Sequence, residues 1–319
     1  MLEFDTLIEF IRTEVNQNLK KIPIPESPKY LYDPIRYSIH AKGKRFRPII
    51  VHLCGKTNGV DSEVLMKISL AVELLHNFTL VHDDIMDNDI LRHGKETIHE
   101  RWDSSTAILA GDGIYTLAQI ILNNLPEKIT EISRYFNHTT LEICEGQALD
   151  KQFENDVNIT EDMYIDMINK KTGALLGASA ALPLIYNGAT KKIIKTFEQF
   201  GRFLGKGFQI HDDLLEITAN SHTMGKSLGS DILEGKQTIL VIKARNQFPD
   251  EWISLLNDTN EFELIKKIKD FFNDSGILEE TRLIANKFFN ASLELLNELE
   301  DVNTKNLAQL VKLIEKRTY

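Results

Sequence analysis

Twice along this chain an apolar helical run closes on His-Asp-Asp and then, three residues on, another acid. The first copy, LLHNFTLVHDDIMDNDILR from Leu74 to Arg92, carries Asp83, Asp84, Asp87 and Asp89. The second, FQIHDDLLE from Phe208 to Glu216, carries Asp212, Asp213 and Glu216. On a helix, Asp83 and Asp87 stack on one face about 6 Å apart. Like carboxylates at that spacing repel, and no residue at i±3 or i±4 of Asp83 is a cation. A solvated helix end accounts for one such pair, but not for two copies that each close an apolar helix. The pattern points to a divalent-cation site for a phosphorylated ligand, because Mg²⁺ takes one or two carboxylates and completes its shell with water and phosphate oxygens.

Composition narrows the function classes. The net charge of −10 argues against a nucleic-acid surface, which needs a basic face. With 42% hydrophobic residues among 319, the chain can bury a large core. Cys54 and Cys144 sit in apolar helical surroundings and read as buried, reduced thiols of a cytoplasmic protein. The N-terminus, MLEFDTLIEFIRTEV, mixes acids among its apolar residues and lacks a signal-peptide pattern. The uncharged run Thr172–Thr190 holds Pro183, Asn187 and three glycines, so it reads as a buried core helix and not a membrane span.

Helical periodicity dominates, and sustained strand alternation is absent. Leu2, Leu7, Ile11 and Val15 mark an amphipathic first helix. Pro23, Pro25, Pro28 and Pro34 form a loop feeding a short helix, Ile35–Ala41. Pro48 suits the first turn of the next helix. A long helix then carries the first acidic cluster. Others are expected over Ser105–Asn123, from Pro126 through Asp150, after a Thr160 cap, and over Lys170–Ile185 and Lys191–Ile217. Four more follow a polar loop, Asn220–Gly235. No repeat or flexible linker divides the chain, so residues 1–319 read as a single all-α domain.

Diphosphate also needs cations. Gly43-Lys44-Arg45-Phe46-Arg47 places three at a helix start, where backbone N–H groups favour anions. Lys170-Lys171-Thr172 opens the uncharged core helix, and GKSLGSDILEGK, Gly225–Lys236, follows the second acidic cluster. Rival motifs fail by count. Asn220 stands where a P-loop needs its first glycine. An EF-hand starting at Asp83 or Asp87 needs glycine where Asn88 and Arg92 stand. Asp103 replaces the second histidine of HExxH after His99-Glu100. His82-Asp83 and His211-Asp212 do resemble the His-Asp pair of helical metal phosphohydrolases, a reading that leaves Asp87, Glu216 and the basic clusters unused.

Together these blocks resemble the trans-isoprenyl diphosphate synthases, or polyprenyl synthetases, in order from Gly43 to Lys236. DDIMD at Asp83–Asp87 is similar to the family's first aspartate-rich motif and DDLLE at Asp212–Glu216 to its second. GKRFRP, GQALD at Gly146–Asp150, Lys171-Thr172, FQIHDD and GKSLGSDILEGK resemble the remaining blocks. The resemblance implies the isoprenoid synthase fold, a bundle of antiparallel helices around a deep central cavity, usually as a homodimer. It implies elongation of an allylic diphosphate with isopentenyl diphosphate, with three Mg²⁺ ions once diphosphate is bound. By the same resemblance Asp83 and Asp87 would hold two ions and Asp212 the third, supported by Asp84, Asp213 and Glu216. Arg92, Lys171, Lys226 and Lys236 would grip the allylic diphosphate, and Lys44, Arg47 and His76 the isopentenyl diphosphate. Thr172 and Gln209 would line the reacting centre, while Gln147 and Asp150 would order the cavity wall.

Two positions depart from the family pattern. The usual pair of arginines after the first motif is Arg92-His93 here. The second arginine commonly contacts isopentenyl diphosphate, and histidine is only partly charged at neutrality, so binding is expected to be weak and to tighten as pH falls toward about 6. Glu216 replaces the usual aspartate and keeps its charge. Product length in the family is set below the first motif. Phe78 and the smaller Thr79, five and four residues before Asp83, resemble archaeal-type geranylgeranyl synthases, implying a C20 main product with C15 as its neighbour. Three other functions compete: a terpene cyclase of the same fold, which does not need a second diphosphate site such as GKRFRP, a noncatalytic modulating subunit, and the phosphohydrolase.

Overall fold

The computed structural model describes residues 3–92, 94–218, 232, 234–256, 261–299 and 302–317. Its helices are α1 Phe4–Lys21, α2 Lys29–Ile39, α3 Phe46–Thr57, α4 Ser62–Met86, α5 Ile98–Arg101, α6 Ser104–Asn123, α7 Ile129–Phe153 and α8 Glu161–Ile168. After them come α9 Ala174–Tyr186, α10 Lys191–Thr218, α11 Ile239–Gln247, α12 Pro249–Leu256, α13 Glu261–Asp274, α14 Ile277–Asn297 and α15 Lys305–Glu315. The fold is all-α. Side-chain caps set several starts: Asp61 accepts from Glu63 N at 2.8 Å, Asp103 from Thr106 N at 2.7 Å and Thr160 from Met163 N at 3.3 Å.

Local deviations from expectation have local causes. α2 starts at Lys29 because Pro28 caps it, and Pro34 is buried inside the helix at the loss of an amide donor. Five helices, not four, follow Thr238 among the described residues, since Pro249 restarts the chain as α12. A two-residue antiparallel ladder pairs Leu91–Arg92 with Lys95–Glu96, a short hairpin that sequence alternation is too brief to signal. Cys54 is buried as expected, but Cys144 is exposed. It lies on the side of α7 toward Asp83, where partial burial and then the Asp83 charge raise the thiol pKa.

α4 packs against α3 and α6, and α10 against α9 and α14. The α7, α9 and α10 backbones approach closely because glycines stand at the crossings. A Cβ on Gly146 would lie 2.3 Å from Lys171 N, one on Gly201 2.3 Å from Leu176 O, and one on Gly205 2.7 Å from Gly173 Cα. The chain reaches α9 through a π-helical turn, Asn169–Gly173, where an ordinary helix over Lys170–Ile185 was expected. Such turns are rare and concentrate at functional sites. Here it carries Lys171 and Thr172 into the space between α7 and α10. By length and composition, Ser62–Met86 and Ser104–Asn123 could cross a membrane, but α4 is largely buried within the bundle. The uncharged run after Thr172 forms the buried α9.

Candidate active site

α4 ends at the first acidic cluster, and bases from three other segments converge on it. Asp87, the C-cap of α4, receives Lys236 Nζ at 3.2 Å on Oδ2 and Lys151 Nζ at 3.4 Å on Oδ1. Burial pushes its pKa up, but Lys236, Lys171 and Lys151 outweigh that and hold it below the ordinary carboxylate range. Asp84 accepts from Arg92 Nε at 2.7 Å, and Asp89 accepts from the same guanidinium at 2.8 Å. The hairpin after α4 folds Arg92 back to make these contacts. Lys171 donates to Asp150 Oδ2 at 2.5 Å. Burial depresses the Lys171 pKa, but Asp150 and Asp83 outweigh it and raise the value. Asp83 goes the other way: burial raises its pKa, Lys171 opposes, and Asp87 adds repulsion.

The second acidic cluster lies near the C-terminal end of α10. Asp212 pairs with Arg317, Nη2 to Oδ1, at 2.8 Å, and the Arg317 carbonyl lies 2.7 Å from His211 Nε2. Burial raises the Asp212 pKa against the pull of Arg317, His211 and Lys44. The Asp212 charge offsets part of the pKa drop that burial imposes on Lys44 and Arg47. Arg47 Nε is buried without a hydrogen-bond partner, and burial lowers the guanidinium pKa to about 10 despite Glu73 and Asp212. Both clusters meet at the π turn. Thr172 Oγ1 donates to Gln209 Oε1 at 2.8 Å, Gln209 Nε2 donates to Asp213 Oδ1 at 3.1 Å, and Tyr164 OH donates to Asp213 Oδ2 at 2.5 Å.

Among the described residues no three acids, histidines or cysteines gather tightly enough to make a metal site alone. The two histidines of the clusters each place Nε2 against a backbone carbonyl, His82 at 3.4 Å from Ile108 O and His211 at 2.7 Å from Arg317 O. A family profile described as polyprenyl synthetase matches residues 28–274. The chain belongs to that family. Geranylgeranyl pyrophosphate synthase of Geoglobus acetivorans is 37% identical over 309 residues, covering 96% of each chain. Geranylgeranyl diphosphate synthase of Saccharolobus solfataricus is 37% identical over 318 residues, 97% of this chain and 95% of the other. A crystal structure of a geranylgeranyl pyrophosphate synthase superposes with a TM-score of 0.90 at 32% identity over 100% of both chains.

Within this polyprenyl synthetase, most residues singled out in sequence stand in one of the two clusters or on the turn between them. Phe78 packs with its ring centroid 5.4 Å from Tyr115 and 4.7 Å from His82, while Thr79 donates to the His76 carbonyl at 2.8 Å. Gln147 is buried on α7 with neither amide atom hydrogen-bonded. His93 and Lys226 lie outside the described residues. Two basic residues of the sequence clusters face elsewhere. Arg45, left-handed at φ 54°, turns inward to a buried ion pair with Glu73 and a bond to Asn16 Oδ1 at 2.9 Å. Lys170 pairs with exposed Glu145 at 3.0 Å. Two contributors escaped sequence reasoning, Lys151, next to Asp150, and Tyr164 on α8; Arg317, in a C-terminal tail whose role the sequence alone leaves open, sits on Asp212.

Asp83 yields a stability test. An acid whose pKa is raised in the fold binds its proton more tightly folded than unfolded, so its charged form destabilises the native state above the ordinary carboxylate range. In EDTA at neutral pH, Asp83→Asn should therefore melt higher than wild type. The difference should vanish below about pH 4, where both states are protonated. Calorimetric scans showing no gain at neutral pH would mean that Asp83 carries no such penalty.

Proposed function

We propose that this chain condenses an allylic diphosphate with isopentenyl diphosphate to a short all-trans prenyl diphosphate, chiefly C20 with C15 as its neighbour. The reading is carried by the π turn, which ties an acidic pole ringed by Lys151, Lys171 and Lys236 to a second pole where Arg47 keeps a buried, unpartnered donor. Relatives named geranylgeranyl synthases across nearly the whole chain support it.

Asp83, Asp87 and Asp212 would hold Mg²⁺, three ions with diphosphate bound, supported by Asp84, Asp213 and Glu216. Their hard carboxylate oxygens fit that ion. Bound Mg²⁺ supplies charge neutralisation to the departing diphosphate. The need is large, because one pair of like charges 4 Å apart repels by about 4 kcal/mol at an effective dielectric near 20. Arg92, Lys171, Lys226 and Lys236 grip the allylic diphosphate, and Lys44, Arg47 and His76 the isopentenyl diphosphate. As the allylic carbon–oxygen bond breaks, Thr172 and Gln209 present oxygen dipoles to the electron-poor carbon. The isopentenyl double bond then attacks it, and the proton lost from the adduct passes to the released diphosphate, so no side-chain base is required. Gln147 and Asp150 order the wall.

Residues 1–319 act as one domain, a reading supported by a continuous buried core from Ile8 to Ile314. Two copies pair as a homodimer, supported by exposed Ile108, Leu109 and Ile120 on α6 and Leu141 on α7. We place the enzyme in the cytoplasm, in keeping with two free cysteines. Against a cyclase stands the second cationic pole, which a single-diphosphate substrate does not need.

Incubation with isopentenyl diphosphate and allylic primers of increasing length should give elongated prenyl diphosphates by chromatography, with turnover abolished by EDTA and restored by Mg²⁺. Elongation that persists in EDTA would overturn the scheme. Phe78→Ala should lengthen the main product by at least one isoprene unit, and an unchanged product profile would remove Phe78 from the floor of the site.

A further inference from the structure

Lys151 follows Asp150 on α7, and its side chain is one-third exposed above a carboxylate, Asp87, that is only 5% exposed. Its Nζ lies 3.4 Å from Asp87 Oδ1, 2.6 Å from Glu154 Oε1 and 3.1 Å from Met86 O. Lys236 holds the other oxygen of the same carboxylate at 3.2 Å and has its own glutamate, Glu234, at 3.3 Å. Asp87 is thus held from two sides by lysines with matching surroundings: one shared aspartate and one private glutamate each.

We propose that Lys151 is a further positioning residue for the allylic diphosphate, resting on Asp87 until a divalent cation takes that carboxylate and then turning onto the diphosphate. The inference rests on the function proposed above. A cation on Asp87 would repel the Lys151 ammonium beside Oδ1, so the two oppose each other there. A lysine is a point charge with rotatable donors on a flexible stem, and Glu154 keeps it beside the site when it leaves Asp87. Lys236, which holds the other oxygen of Asp87, already has that role in the reading above. A lysine that only capped the C-terminus of α4 through Met86 O would affect stability and leave both metal and diphosphate affinity alone.

The test uses the full chain with Lys151→Met, which keeps the stem, and Lys151→Arg, which keeps the charge. Mn²⁺ binding by electron paramagnetic resonance, without diphosphate, should tighten in Lys151→Met because a competitor is gone. Calorimetric binding of inorganic diphosphate in Mg²⁺ should weaken about tenfold, the lower end of what losing a charge-assisted hydrogen bond brings. KM for the allylic substrate should rise with it while KM for isopentenyl diphosphate holds, and Lys151→Arg should restore most of the loss. Diphosphate affinity equal to wild type in Lys151→Met overturns the proposal alone, as does weaker Mn²⁺ binding. A wild-type enzyme that takes up no diphosphate with Mg²⁺ overturns it together with the function it rests on.

Discussion

A buried carboxylate persists in a fold only when cations and hydrogen bonds replace the water it has lost. This bundle meets that demand by bringing bases from distant segments onto two helix ends. Asp87 draws Lys151 and Lys236, Asp84 draws Arg92, Asp150 draws Lys171 and Asp212 draws Arg317. Under the proposed function, a diphosphate would take over these bases and a divalent cation these acids. Stability and chemistry here draw on one set of ion pairs.

Those pairs form because three helix backbones meet closely. Gly146, Gly201 and Gly205 each stand where a methyl would fall within 2.7 Å of a neighbouring backbone. The π turn at Asn169–Gly173 then widens the helix and redirects two consecutive side chains, Lys171 toward Asp150 and Thr172 toward Gln209. An uninterrupted α-helix would rotate them about 100° apart around its axis and extend straight into α9. The asymmetry of the site follows: Asp213 is fully bonded by Gln209 and Tyr164, whereas Asp83 and Asp212 remain carboxylates whose pKa burial raises.

Basic residues adjacent in the chain divide their labour in space. In GKRFRP, Lys44 and Arg47 feel the Asp212 charge, but Arg45 between them is turned inward and locks α3 to α4 through Glu73. In Lys170-Lys171 only the second reaches the site. Residue type was legible in both clusters; direction was not, because at Arg45 it depends on a left-handed backbone angle and at Lys171 on a π turn. Lys151 escaped notice for a related reason. Beside Glu154 it looks like an ordinary i,i+3 surface pair, and its reach to Asp87 arises from the packing of α7 against the end of α4.

Repeated acid-tipped helices, helical periodicity and caps such as Thr160 are properties of neighbours along the chain, so the all-α class, most helix spans and the two aspartate clusters could be read directly. Long-range pairing could not. That Arg317, more than a hundred residues beyond Asp212, would sit on it, and that Tyr164 would fix Asp213, depends on close packing of helices far apart in the chain. Local pattern specifies which groups a helix presents, while only the packed bundle sets which opposite charges end within a few ångströms of each other.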